Sequence, residues 1–151
     1  TEVDYDTYAE GEAILGWLNC TARLSSAAKV NWSELCFNLI KDLHSDFKAK
    51  EADIAHLKLI LITDDGENVV ANVTKLDGEA TLRGEILNGA LDAKLTVNAR
   101  VEMTPEELQK AVEKALDSSI PTGIEVEVED MVSLSPGCPT PTHRYKEVVT
   151  A

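Results

Sequence analysis

Few residues of this 151-residue chain stand at spacings that could do chemistry, and the clearest pair lies near the C-terminus. Cys138 and His143 are separated by Pro139-Thr140-Pro141-Thr142. Zinc and cobalt accept thiolate and imidazole ligands, and a proline-rich segment can hold two ligands at a fixed spacing. The pair therefore predicts part of a divalent-metal site, for zinc or cobalt, whose other ligands come from elsewhere in the fold or from a partner. The alternative is that the prolines pin the tail along the domain and Cys138 fills a small gap.

A second set of candidate residues comes together only if the strands pair as the patterns below predict. Its members share one face of the expected sheet and are Trp17, Arg23, His56, Lys58, Asn98 and Arg100. An indole, an imidazole, an amide and several cations on one face form a surface for a small anionic ligand or for a partner protein. The alternative is a face covered only by solvent or by a second copy of the chain.

Motifs for nucleotide binding and for nucleophilic catalysis are absent from the sequence. The segments 11–16 and 84–89 have the glycine spacing of a phosphate loop, but Trp17 and Ala90 follow where a lysine is required. No GxSxG, CxxC or HExxH occurs. The sequence thus predicts a non-catalytic chain with no cofactor of its own beyond the metal considered above. A small enzyme, or a stand-alone protein that binds a small ligand on the open sheet face, is the alternative.

Composition narrows the range of partners and the compartment. The chain has 27 acidic and 14 basic residues and a formal net charge of -13. Such an excess of negative charge disfavours nucleic acid and anionic membranes as partners. The three cysteines cannot form a closed set of disulfides, and the chain shows neither a secretion signal nor an apolar stretch of about 20 residues. A cytoplasmic location is expected.

Hydrophobic periodicity predicts the element order β-α-β-β-β-α-β. Strands are predicted at 13–24, 54–63, 68–76, 91–103 and 124–134. One helix follows the cap residue Asn31 and the other follows Thr104, and each cap has a glutamate three residues on. The stretch 77–90 permits a short extra strand around Thr81–Arg83, and a slip in the alternation near Asp130–Met131 indicates a bulge.

Faces are assigned to two of these strands by their alternation. In strand 54–63, Ala55 is expected on the same face as Leu57, with Ile54 on the opposite face beside His56. In strand 91–103, the buried face is expected to begin at Leu91.

This order predicts an α+β fold, a ferredoxin-like two-layer sandwich with a mainly antiparallel sheet and both helices on one face. Strand 91–103 is placed between 13–24 and 54–63, with 68–76 at one edge and 124–134 at the other. The predicted domain covers 1–134. Residues 135–151 are predicted to form an extended, proline-rich tail that packs on the domain or leaves it.

Segments at both ends and in the middle of the chain are similar to one known family. The segments are Tyr8-Ala9-Glu10-Gly11-Glu12-Ala13-Ile14-Leu15-Gly16-Trp17-Leu18-Asn19, Ala55-His56-Leu57-Lys58-Leu59-Ile60-Leu61, Val69-Val70-Ala71-Asn72 and Pro136-Gly137-Cys138-Pro139-Thr140-Pro141-Thr142-His143-Arg144-Tyr145. Together they resemble the C-terminal region of CobW-like, cobalamin-synthesis-related P-loop GTPases. The resemblance spans most of the chain.

The resemblance implies a role beside a GTPase. Such proteins are similar to metallochaperones, in which a P-loop GTPase domain, often with a Cys-x-Cys-Cys motif, precedes an α+β C-terminal domain. This chain has neither the loop nor that motif, so GTP hydrolysis and the principal metal site are assigned to none of its residues. The resemblance implies a binding or regulatory domain linked to metal or cobalamin handling, with a fused or separate P-loop GTPase domain as partner. The open sheet face and the edge at 68–76 predict a homodimer as the other possible assembly.

Overall fold

Strands and two helices make up the computed structural model, which describes residues 14–136 and the backbone of residues 143–145. In chain order the elements are β1 (Gly16–Ser26), α1 (Trp32–Ala49), β2 (Ile54–Thr63), β3 (Asn68–Val73), β4 (Thr81–Glu85), β5 (Asp92–Val101), α2 (Pro105–Ser118), β6 (Ile124–Leu134) and β7 (His143–Tyr145). The strands form one sheet in the order β4-β3-β2-β5-β1-β6-β7. Every neighbouring pair is antiparallel.

Both helices begin where the cap residues predict. The Asn31 side chain accepts a hydrogen bond from the backbone N–H of Glu34 at 3.0 Å, which satisfies one of the free donors at the start of α1. Thr104 and Glu107 form a reciprocal capping box at the start of α2. The predicted apolar stripe of α1 is buried in full and comprises Trp32, Leu35, Cys36, Leu39, Ile40, Leu43 and Phe47.

The helices and the sheet form two layers around one apolar core. α1 packs on β2 and β3, α2 packs on β1 and β6, and the two helices contact each other. Alternate residues of the central strands face this core, among them Leu18, Leu59 and Val97. The predicted α+β class, with two helices and an antiparallel sheet, is confirmed. Among the described residues, no helix is both long enough and apolar enough to span a membrane.

The five strands predicted from sequence lie in the predicted relative order, but the prediction that 68–76 forms an edge is wrong. β4 pairs with β3 from Asn68 to Asn72 and takes the edge position. At Gly84 the backbone has a φ of 91°, and a Cβ there would lie 2.7 Å from the Asn68 carbonyl oxygen, so only glycine allows this close approach. β4 is the short extra strand that the sequence permits around Thr81–Arg83. All five of its residues are exposed, so no alternation established it from sequence.

Two face assignments are also wrong, each for a local reason. The register of β2 against β5 shifts between Ile54 and His56, so Ala55 bulges outwards and Ile54 turns into the core, where it is 4% exposed. Leu91 precedes the first residue of β5 and is 41% exposed rather than buried. The bulge predicted in the last strand is present, because Thr21 pairs with Asp130 and Ala22 with Val128.

β7, which lies within the predicted tail, joins the tail to the sheet. The backbone of β7 pairs with Met131–Ser133 of β6. The edge on this side is therefore formed by β7 rather than by strand 124–134.

Candidate functional site

The face of the sheet opposite the helices carries two polar rows that run across β1, β5 and β2. In the first row Trp17 stands opposite Arg100, and Arg100 stands opposite His56. In the second row Asn98 stands between Asn19 and Lys58. The antiparallel register brings these residues together from three strands that are far apart in sequence.

These rows line a cleft of about 310 Å³ on the open face. Its lining residues are Trp17, Leu18, Asn19, His56, Lys58, Asn98, Ala99 and Arg100. The structure therefore brings together five of the six residues predicted to share this face, namely Trp17, His56, Lys58, Asn98 and Arg100. We call this site the open-face cleft.

Arg23, placed on the same face from sequence, does not line the cleft. Its guanidinium pairs with both carboxylate oxygens of Asp64 at 3.1 Å, at the far end of β1. Asn19 is a lining residue that the sequence prediction missed. The alternation of β1 does place Asn19 on the face of Trp17, so this signal could have found it.

Two contacts hold the cleft side chains in place. The guanidinium carbon of Arg100 lies 4.1 Å from the centre of the Trp17 ring, which is the geometry of a cation–π contact. The Asn98 side-chain amide donates a short hydrogen bond to the Asn19 side-chain carbonyl. One cation and one amide pair are thus oriented before any ligand arrives.

The cleft is basic within an acidic chain. Its lining contains Lys58 and Arg100 and no carboxylate. Within residues 14–136, the ion pairs are Arg23 with Asp64 and Lys50 with Asp46, so neither cleft cation pairs with a described carboxylate. Burial lowers the pKa of His56 below its usual value of 6.5, and the positive charges of Lys58 and Arg100 lower it further. His56 is therefore mostly neutral near pH 7.

One hydrogen-bond donor in the cleft wall has no acceptor among the described residues. It is the indole Nε1 of Trp17, which is buried. Leaving such a group unpaired costs about 1–3 kcal/mol, so an acceptor that reached it would be stabilised.

The described thiols lie away from the cleft and are poor nucleophiles. Cys20 and Cys36 are buried in the core, and burial raises the pKa of each to about 12. A thiol with this pKa carries almost no thiolate at neutral pH.

The predicted metal ligands cannot be placed as a pair. Cys138 lies outside the described residues, and only the backbone of His143, in β7, is described. Among the described side chains, no group of three or more His, Cys, Asp and Glu residues could hold a metal ion. The metal site at Cys138 and His143 stays a prediction.

The groups that line the cleft are suited to binding rather than to nucleophilic attack. They supply a guanidinium, an ammonium, two amides and a neutral imidazole, and no hydroxyl, thiol or carboxylate side chain. These are donors that recognise anions.

Comparison with known proteins adds no relative. The chain matches no model of a protein family and no curated protein. The resemblance to the C-terminal region of CobW-like GTPases stays a prediction.

Proposed function

We propose that this chain is a non-catalytic binding domain and that the open-face cleft is its ligand site. The observation that carries the proposal is the presence of two cations, Lys58 and Arg100, that lack a described carboxylate partner and share one 310 Å³ cleft. The chain has a formal charge of -13, yet among the described residues no carboxylate side chain lines this cleft. Cations held without such neighbours around a concave surface favour a ligand that supplies the negative charge.

We infer that the fold is ferredoxin-like, with extra strands at both edges of the sheet. The order β2-β5-β1-β6, with α1 and α2 as the two connecting helices, supports this assignment. The β3–β4 hairpin and β7 then extend the sheet beyond its common core. An α+β domain of this kind is what the resemblance to CobW-like proteins implies for their C-terminal region.

We further propose that the domain works beside a P-loop GTPase, fused or separate, in metal or cobalamin handling. This context depends on the resemblance alone, and a cytoplasmic location belongs to it. A P-loop GTPase domain encoded in the same reading frame or next to it would support the proposal. The absence of any such sequence near the coding region would count against it.

The non-catalytic assignment is tested by calorimetry with GTP and magnesium. We expect no binding that is specific for GTP over ATP and no hydrolysis by this chain alone, because no lysine-bearing phosphate loop is present. Micromolar affinity for GTP, or its hydrolysis by this chain, would overturn the assignment. ATP titrated under the same conditions serves as the control for weak, non-specific binding of nucleotides.

A stand-alone ligand-binding protein is the second candidate, and the cleft favours it because the lining residues already form a concave site. In the first candidate the ligand regulates a GTPase, whereas in the second no GTPase is involved.

A homodimer through the open face would instead bury the cleft. Light scattering at micromolar concentration separates the monomer from the homodimer. A measured mass of 16.4 kDa would exclude the dimer.

A further inference from the structure

We propose, resting on the function proposed above, that the open-face cleft binds a small molecule through an oxyanion group, a carboxylate or a phosphate. Arg100 is the principal donor to this group, and Lys58 supplies a second positive charge. The amides of Asn19 and Asn98 also line the cleft. The inference names the ligand class of the cleft and predicts which residues determine it.

Arg100 is held in a way that suits oxyanion binding. Its guanidinium carbon lies 4.1 Å from the centre of the Trp17 ring, so the side chain has already lost part of its rotational freedom. A cation–π contact uses none of the N–H donors in a hydrogen bond to a carboxylate. Those donors match the two oxygens of a carboxylate or phosphate. Among the described residues, no carboxylate already occupies them.

Lys58 lies diagonally across the β5–β2 ladder from Arg100. Arg100 pairs with His56, and Asn98 pairs with Lys58. Lys58 therefore lies two residues along β2 from the residue directly opposite Arg100. Diagonal neighbours have Cα atoms about 7–8 Å apart, a span that two long side chains can close around one anion.

The charge of the whole chain argues for a small anion and against a polyanion. A net charge of -13 repels nucleic acid and anionic membranes over long range. A small ligand inside the cleft responds mainly to charges within the screening length, which is about 8 Å at physiological salt. Lys58 and Arg100 are the charged residues that line the cleft, and its volume of about 310 Å³ suits a small molecule.

His56 offers a readout that a merely structural role would not give. Among the described residues, the charged groups on the open face that act on it are Arg100 on β5 and Lys58 on β2. Beyond the strand ends lie Asp53 and Glu102, whose backbones hydrogen-bond to each other. A bound oxyanion would offset the two cations that lower the pKa of His56, so that pKa should rise when the cleft is filled.

The test is an NMR titration of the full chain with inorganic phosphate and, in a separate arm, with citrate. Potassium chloride at matched ionic strength is the salt control. We expect saturable shifts confined to the cleft segments 17–19, 56–58 and 98–100, together with a rise in the pKa of His56. The anion that saturates at lower concentration identifies whether phosphate or carboxylate is preferred.

Variants assign the effect to named residues. We expect Arg100→Gln and Lys58→Gln each to weaken binding about tenfold or more, since each removes a charge-assisted hydrogen bond. Lys94→Gln is the matched control, because Lys94 is exposed on the same strand as Arg100 but outside the cleft. An equal loss in the control would overturn the proposal, since it would show general charge attraction. The amide spectrum of each variant establishes that it is folded.

Uncharged aromatic compounds are titrated in parallel to separate this inference from the proposed function. If these compounds give saturable shifts in the cleft and phosphate and citrate give none, the proposal of an oxyanion ligand is overturned. The proposal that the cleft is a ligand site then stands. An absence of saturable shifts with every class would overturn both. Shifts with an anion that also move the pKa of His56 support both.

Discussion

Trp17 and Arg100 stand directly opposite each other in the β1–β5 ladder, and the Arg100 guanidinium carbon lies 4.1 Å from the centre of the Trp17 ring. The contact forms because the two residues are partners in the strand register, so the open-face cleft depends on how β1 and β5 pair. A register shift of one residue in either strand would turn that strand's own cleft residue, Trp17 or Arg100, towards the helices and remove the cleft. The register that buries Leu18 and Ala99 is thus the register that assembles the site.

A double-mutant cycle with Trp17→Leu and Arg100→Leu should show that the two side chains stabilise the fold more together than separately. We expect about 0.5–1 kcal/mol of interaction free energy, because Arg100 is exposed and water screens part of the attraction. Urea unfolding of the four proteins measures it. The control cycle pairs Trp17→Leu with Arg83→Leu on β4, four strands away, and should be additive to within about 0.5 kcal/mol. A Trp17–Arg100 coupling no larger than in the control would contradict the contact.

The pKa of His56 should lie below 6.5 in the folded chain, because burial and the charges of Lys58 and Arg100 all disfavour the imidazolium. The unfolded chain then binds this proton more readily than the folded one. Stability contributed through His56 is therefore present above pH 6.5 and is lost as the pH falls towards the lower, folded pKa.

Proton NMR of the imidazole over pH 4–8 checks this prediction. Lys58→Gln should raise the pKa of His56, whereas Lys94→Gln should leave it unchanged. In urea unfolding, His56→Gln should lose less stability than the wild type between pH 7 and pH 5. A His56 pKa at or above 6.5 would contradict the prediction.

The sequence was sufficient for the features that depend on periodicity and capping. The stripe of α1, the caps at Asn31 and Thr104, and the alternation of β1 and β5 are each set by neighbouring residues. From these the order of the five longer strands followed, because right-handed crossovers leave few topologies open. The gathering of Trp17, His56 and Arg100 was predictable for the same reason.

The remaining features depend on contacts between distant residues. β4 is fully exposed and depends on the backbone approach of Gly84 to Asn68, which leaves no hydrophobic pattern. The bulge at Ala55 reverses the face of Ile54, and only the pairing with β5 reveals it. The cation–π contact of Arg100 with Trp17 is likewise set by register and side-chain conformation.

Cys20 and Cys36 should resist thiol reagents in the folded chain. The pKa of each is raised to about 12, so at pH 8 only about one molecule in ten thousand carries a given thiolate. Both side chains are also buried. In a Cys138→Ser variant, the disulfide reagent DTNB should release almost no chromophore until urea unfolds the chain, and then two equivalents. The unfolded sample is the internal control. Rapid release from folded protein would mean that the core opens easily around α1 or β1.

Gly16→Ala should destabilise the chain by about 1–3 kcal/mol, the usual cost of forcing extra volume into a packed interior. A Cβ at Gly16 would lie 2.7 Å from the Met103 carbonyl oxygen and 3.3 Å from Leu108 Cδ2. The first of these is backbone at the start of α2, so it cannot move without shifting the helix or β1. Gly89→Ala is the matched control, because a Cβ there meets only the flexible Lys29 side chain, at 2.9 Å. Urea unfolding should show a loss of stability for Gly16→Ala well beyond that of the control. Equal stability of the two variants would mean that β1 and α2 are not packed as closely as this contact requires.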